Sequence, residues 1–200
     1  MRACKGHNMS TRKPTVYLLC GLPAAGKTTL AKQLEEKQGA VRFTLDEWMI
    51  RLYDYTIFDR EYGEYGRRCR ELIWQTAVNV LKQGVDVVLD WNQWSSKRRQ
   101  AILKRIEAIG ANHQLIYLNI PPMVARERLQ TYQATNYQHV ISVAEFDRFW
   151  PFFEPPTVSE GLNIVEIKYR RENGGQAAVK NNPSFMLTTP AQKTYPMVLN

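Results

Sequence analysis

Two hundred residues with 27 lysines and arginines against 19 aspartates and glutamates carry a formal charge of +8, and the composition is 44% apolar and 23% charged. That apolar share suits one ordinary core and excludes a disordered chain, and no apolar run approaches membrane-spanning length. A basic balance points to a polyanionic partner, but residues 1–14 hold Arg2, Lys5, Arg12 and Lys13 with no acid and residues 168–200 hold five basic residues against Glu172 alone, so each end is +4 and residues 15–167 are neutral.

Thr15–Cys20 is a short β-branched and apolar run meeting a glycine, which predicts a buried strand followed at once by a loop. After a basic stretch this run imitates a secretory leader, yet it is short, bulky Leu19 stands where a small residue is wanted, and it leads straight into a glycine-rich sequence. Cys4, Cys20 and Cys69 are odd in number and widely spaced, which fits a reducing cytoplasm better than a disulfide framework or a zinc site.

A helix is expected from Lys27 to about Gln38 with Leu30, Ala31 and Leu34 inward, then a second strand over Val41–Leu45 ending at Asp46. Tyr65, Cys69, Leu72, Ile73, Thr76, Val80 and Leu81 recur at helical spacing before Gly84, and Val85–Leu89 reads as a third strand interrupted only by Asp86. Ser95 or Ser96 can cap a helix running towards Ile109, closed by Gly110. Leu115–Ile120 is a fourth strand, residues 123–132 and 143–152 are helices, and Asn163–Ile167 is a fifth strand. This βα alternation with continuously apolar strands predicts a parallel sheet covered on both faces, with any ligand at the edge where the strands end. Three regions are expected: a basic extension over 1–14, one folded domain over 15–169, and a flexible or loosely docked tail over 170–200.

Gly21-Leu22-Pro23-Ala24-Ala25-Gly26-Lys27-Thr28 matches the phosphate-loop pattern G-x-x-x-x-G-K-[ST] in full, between a predicted strand and a predicted helix. Glycines let successive backbone N–H groups turn inward on phosphate oxygens, and the following helix adds its positive end. Lys27 supplies a charge to the β- and γ-phosphates, the Thr28 hydroxyl is a ligand for Mg²⁺, and Thr29 belongs to the same nucleotide-binding turn. Asp90, at the end of the third strand, is either a carboxylate holding a magnesium-linked water or merely a turn former.

With these pieces the chain resembles the small P-loop kinases of the AAA_33 group that phosphorylate hydroxyls, which includes zeta-toxin-like kinases, chloramphenicol phosphotransferase and polynucleotide 5′-kinase. The resemblance spans roughly residues 15–167 and rests on Gly21–Thr28, Leu45-Asp46-Glu47-Trp48, Asp90-Trp91-Asn92, Pro121 to Leu129, and Phe153-Glu154-Pro155-Pro156 with Glu160-Gly161. It implies a three-layer α/β P-loop NTPase fold, nucleoside-monophosphate-kinase-like, with five parallel strands, and it implies ATP with Mg²⁺. It also implies that Asp46 is the general base for the substrate hydroxyl, although an aspartate before Glu47-Trp48-Met49 can also be a helix cap. Arg128 aligns with the first lid arginine of these kinases. The second falls at Tyr132, which carries no charge, so Arg126 is the candidate replacement for phosphate contact.

Trp48, Tyr53, Tyr55, Phe58, Tyr62 and Tyr65, with Trp91 and Trp94, leave the sheet at the expected phosphate edge and either wall an acceptor pocket or cap the core. Arg67, Arg68 and Arg70 with Lys97, Arg98 and Arg99 are the dense basic groups of the body, as a nucleic-acid channel would need. The neutral body favours a small-molecule hydroxyl acceptor such as a nucleoside, antibiotic or sugar conjugate. A polynucleotide or RNA 5′-hydroxyl kinase is the alternative, and a nucleotide-dependent binding module without transfer is the reading from another class. No membrane partner is expected.

Overall fold

The computed structural model describes residues 12–54, 59–131, 141–169, 184–187 and 195–198. Strand β1 (Thr15–Gly21) lies at the centre of a five-stranded sheet with β2 (Val41–Thr44), β3 (Val87–Asp90), β4 (Asn112–Asn119) and β5 (Ile164–Lys168), in the order β2-β3-β1-β4-β5. Every pairing is parallel, with Leu18 opposite both Leu89 and Leu115, so the strands end along one edge. The expected α/β architecture with five parallel strands is what forms.

Alternation along β1 divides the core in two, because successive strand side chains face opposite ways. Val16, Leu18 and Cys20 face the helices α2 (Leu45–Tyr53), α3 (Tyr62–Lys82) and α4 (Ser96–Ala108) through Met49, Ile73, Ala77 and Ile106. Tyr17 and Leu19 face α1 (Lys27–Gln38), α5 (Pro122–Thr131) and α6 (Val143–Phe149) through Leu30, Ala31, Leu34, Ala125 and Phe146. These are the two helical layers that a parallel sheet needs to bury both faces.

Several boundaries differ from the sequence pattern for local reasons. The second strand stops at Thr44 and α2 starts at once, so Asp46 sits in the first turn of a helix whose cap position is Thr44. Asp86 stands outside β3, where its carboxylate accepts from the Thr15 backbone N–H at 2.7 Å and from Arg12 at 2.7 Å, pinning the start of β1. Helix α6 ends at Phe149 and continues as a 3₁₀ turn over Trp150–Phe152, since Pro151 has no N–H to give the helix. Ser95 is the cap of α4 and accepts from Arg98 N at 3.4 Å. Within the region expected as a tail, β6 (Ser184–Leu187) and β7 (Tyr195–Val198) pair antiparallel, an element the sequence pattern does not announce.

One buried charge ties the active edge together. Arg99 on α4 is fully buried and makes a two-pronged ion pair with Glu160, at 2.7 Å through both Nε and Nη2. Its Nη1 donates to the carbonyls of Gln93 and Glu154, so one guanidinium joins the segment after β3 to the segment before β5. A guanidinium buried with its donors filled is stable only as a set, and breaking it leaves an uncompensated charge.

Candidate active site

Gly21 ends β1 with φ 150°, and a Cβ there would come 2.8 Å from the Leu118 carbonyl oxygen of β4, so a side chain does not fit. Ala24 at φ 56° and Gly26 at φ 99° then turn the chain through left-handed conformations into α1. Turns of this kind bring consecutive N–H groups to one concave side, where they suit an oxyanion. Leu22 and Ala25 are buried and anchor the loop in the α1-side core, Pro23 is half-buried, and Thr29 is exposed on the helix.

The Lys27 ammonium donates to the carbonyls of Gly21 at 3.0 Å and Leu22 at 2.8 Å, folded back across its own loop. Burial pushes its pKa below the usual lysine value, opposed by the charges of Asp90, Cys20 and Asp46. The loop is held from two further directions. Trp94 donates its indole N–H to the Gly21 carbonyl at 3.2 Å and packs edge-on against Phe153, and Arg128 on α5 donates to the Ala24 carbonyl at 3.2 Å beside the Tyr169 ring.

Parallel pairing sets Asp90 opposite Thr44, which places the ends of β2 and β3 beside the loop. The buried Asp90 carboxylate accepts from the Thr44 hydroxyl at 3.2 Å and from the hydroxyl of Thr28. Burial raises its pKa, and the nearby Lys27 ammonium and the two hydroxyls pull it back. Asp46, in the first turn of α2, adds to the field at both Lys27 and Asp90, and the Tyr62 phenol donates to its Oδ1 at 3.4 Å. Burial, then the Asp46 charge, raises the Tyr62 pKa, so the phenol remains a proton donor. The structure therefore brings Lys27, Thr28, Asp90 and Asp46 together with the loop.

The neighbouring groups divide by partner. Glu47, beside Asp46 in sequence, is paired with Arg42 at 2.8 Å, and Arg42 also holds Glu35 at 3.1 Å and the Thr44 hydroxyl. Arg126 does not join the loop: both oxygens of Asp147 on α6 accept from its Nε at 3.1 Å. Only Arg128 of the two lid candidates touches the phosphate loop. Tyr132, the other lid position, and Tyr55 and Phe58 of the aromatic group lie outside the described residues. Of the remaining aromatics, Trp91 is buried, Trp48 stands edge-on to Phe43 at 6.5 Å, and Tyr53 meets Tyr65 at 4.6 Å.

Sequence reasoning missed Thr44, the bonds of Tyr62 to Asp46 and of Trp94 to the loop, and the structural use of Arg99. Thr44 carried a usable signal, since a hydroxyl one residue from the predicted strand end must lie beside the equivalent end of β3. The others depend on contacts 16 to 73 residues apart in the chain.

The family profile described as an AAA domain matches residues 16–156. Among solved structures, a candidate kinase from Chloroflexus aurantiacus j-10-fl superimposes with a TM-score of 0.62 at 18% identity, covering 80% of this chain and 87% of that one. A gluconokinase from Sinorhizobium meliloti 1021 matches with a TM-score of 0.53 at 14% identity, covering 80% of this chain and 86% of that one. A chain of the Pnkp1/Rnl/Hen1 complex matches with a TM-score of 0.53 at 18% identity over 64% of this chain, and this chain spans 43% of its length. At these identities the likeness is one of fold, that of P-loop kinases. No curated protein matches the chain. Among the described residues no helix is long and apolar enough to cross a membrane.

Proposed function

The chain belongs to the AAA domain family, and on that premise we propose that it is an ATP-dependent kinase transferring the γ-phosphoryl group to a hydroxyl of a small molecule. The observation that carries this reading is the convergence of Asp46 and Asp90 on Lys27 and Thr28 at the mouth of the phosphate loop. A loop alone would serve nucleotide binding. A second carboxylate, Asp46, two residues past the end of β2 in the first turn of α2, supplies what transfer to a hydroxyl additionally requires.

In this reading the loop N–H groups and Lys27 hold the donor phosphates, and Lys27 leaves the Gly21 and Leu22 carbonyls to do so. Thr28 and Asp90 would hold Mg²⁺, a hydroxyl and a buried carboxylate being the oxygen donors this ion takes alongside phosphate and water. Bound there, the ion would neutralise charge on the donor phosphates. Asp46 orients the acceptor hydroxyl and accepts its proton as the oxygen attacks the γ-phosphorus. The bond to the β,γ-bridging oxygen breaks and ADP leaves. Tyr62 positions the Asp46 carboxylate, and Arg128, already on the loop, adds positive charge where the transferring group becomes more negative.

The test is incubation with γ-labelled ATP, Mg²⁺ and a metabolite extract, followed by identification of labelled products. A labelled small molecule with wild type and none with Lys27→Ala supports the reading. Label appearing only on a 5′-hydroxyl oligonucleotide, with steep salt dependence, would replace it by polynucleotide kinase activity. Nucleotide-dependent capture of a partner with no labelled product would make the chain a binding module.

A further inference from the structure

The six cations of α3 and the start of α4 form two dense groups in sequence, and the fold sorts them into unlike roles. Arg99 is spent inside the protein on Glu160. Arg68 pairs with Glu64 one turn away on the exposed face of α3 and lies over the Tyr65 ring. Arg70 differs from both. It is half-buried, and among the described residues no carboxylate pairs with it. Its guanidinium lies against the bare backbone of Gly66, where a Cβ would stand 3.5 Å from Arg70 Nη1 and 3.5 Å from Tyr62 Cε1. Burial, then the like charges of Arg98 and Arg67, lowers its pKa, opposed by Tyr62 and Cys69.

A cation on a solvated helix face spreads away from its like-charged neighbours. Arg70 instead is half-buried and feels the like charges of Arg98 and Arg67, with no carboxylate paired to it among the described residues. Such an arrangement is unfavourable until an anion arrives. Its position gives the anion a purpose, because Tyr62 feels the charges of both Arg70 and Asp46 and its hydroxyl touches the Asp46 carboxylate. Through Gly66 and the Tyr62 ring, the Arg70 guanidinium is thus linked to the Asp46 carboxylate.

We propose that Arg70, backed by Arg98 and Arg67, binds an oxyanion of the acceptor, so that the substrate is a hydroxyl compound already carrying a carboxylate or a phosphate monoester. A guanidinium suits this task, since its planar fork meets two oxygens of either group at once. The anion is not altered in the reaction. It fixes the acceptor so that a hydroxyl elsewhere on the same molecule reaches Asp46. This proposal rests on the kinase reading and adds the class of acceptor to it.

The experiment splits a small-molecule cell extract on a strong anion exchanger at neutral pH and offers each fraction to the full chain with γ-labelled ATP and Mg²⁺. Acceptor activity in the retained fraction is expected. Loss of that activity after phosphatase treatment identifies a phosphate monoester, and survival identifies a carboxylate. With the retained fraction, Arg70→Gln is expected to raise the apparent KM for acceptor by about tenfold or more while the KM for ATP stays within about twofold, and Arg70→Lys to recover part of the loss. Arg68→Gln, on the outer face, is expected to leave both unchanged. Acceptor activity confined to the flow-through, or an Arg70→Gln variant with unchanged acceptor KM, overturns the proposal. No labelled product from either fraction overturns the kinase reading itself.

Discussion

The two halves of the candidate site are built from different materials. The phosphate half is backbone: Gly21, Ala24 and Gly26 in special conformations, closed by one lysine and one threonine from the same eight residues. The acceptor half is side chain, with Asp46 from α2, Tyr62 and Arg70 from α3, and Arg98 from α4. Local conformation is written in consecutive residues, so the first half is found by pattern. The second half exists only after three helices have packed on one face of the sheet. On the proposed reading, the comparison leads to the expectation that nucleotide binding and acceptor choice respond to different substitutions.

The largest combined loss, of nucleotide binding and transfer together, should come from the phosphate half. Lys27→Ala is expected to lower transfer by about a hundredfold to a thousandfold or more, with an unchanged circular dichroism spectrum. Retained transfer would break the comparison at its firmer side. Gly21→Ala, placing a Cβ 2.8 Å from the Leu118 carbonyl, is expected to destabilise the fold by about 1–3 kcal/mol in urea titration and to weaken nucleotide binding.

Behind both halves, Arg99 joins the segment after β3 to the segment before β5. Arg99→Ala orphans Glu160 and releases the Gln93 and Glu154 carbonyls, with an expected loss of about 3–5 kcal/mol of unfolding free energy. A stability within about 0.5 kcal/mol of wild type would show that the two segments are held by other means.

Between the arginines of α5, Arg128→Ala is expected to slow transfer by about tenfold to a hundredfold and Arg126→Ala by less than about twofold. Arg128 touches the loop and Arg126 is held by Asp147, and measured turnover of the two variants separates them. Equal losses would bring Arg126 back to the phosphates.

The smallest effect is one of pH. Burial raises the Cys20 thiol from 9.0 to about 11, so the unfolded chain loses this proton before the folded one does. The stability this proton contributes is present below pH 9.0 and is lost as pH rises through about 11, by up to roughly 2–3 kcal/mol. Denaturation midpoints across that window, with Cys20→Ala as reference, check the slope. A midpoint independent of pH there would show the thiol to be more open than its place behind the loop suggests.

Much of the fold was legible because apolar runs and glycine stops mark buried parallel strands and their crossovers. Strand ends were less so. Asp86 reads as part of the third strand by its neighbours, yet a bond from Thr15, 71 residues away, keeps it outside. Asp46 could be singled out by the resemblance, and Asp90 because the phosphate-loop motif calls for a carboxylate at a neighbouring strand end. Arg99 could not be told from Lys97 and Arg98 by sequence, since its burial depends on Glu160 arriving from the segment before β5. Arg70 was hidden for the converse reason: what distinguishes it is a carboxylate partner that the described residues do not provide.

The claim that one half binds nucleotide while the other supplies the proton acceptor is tested most directly with Asp46→Asn. Calorimetric ATP affinity and turnover with a labelled acceptor are measured on the same preparation. The account predicts turnover lower by about 10²–10⁴-fold with ATP affinity within about twofold of wild type. An Asp46→Asn variant that loses ATP binding together with turnover, or keeps both, would contradict it.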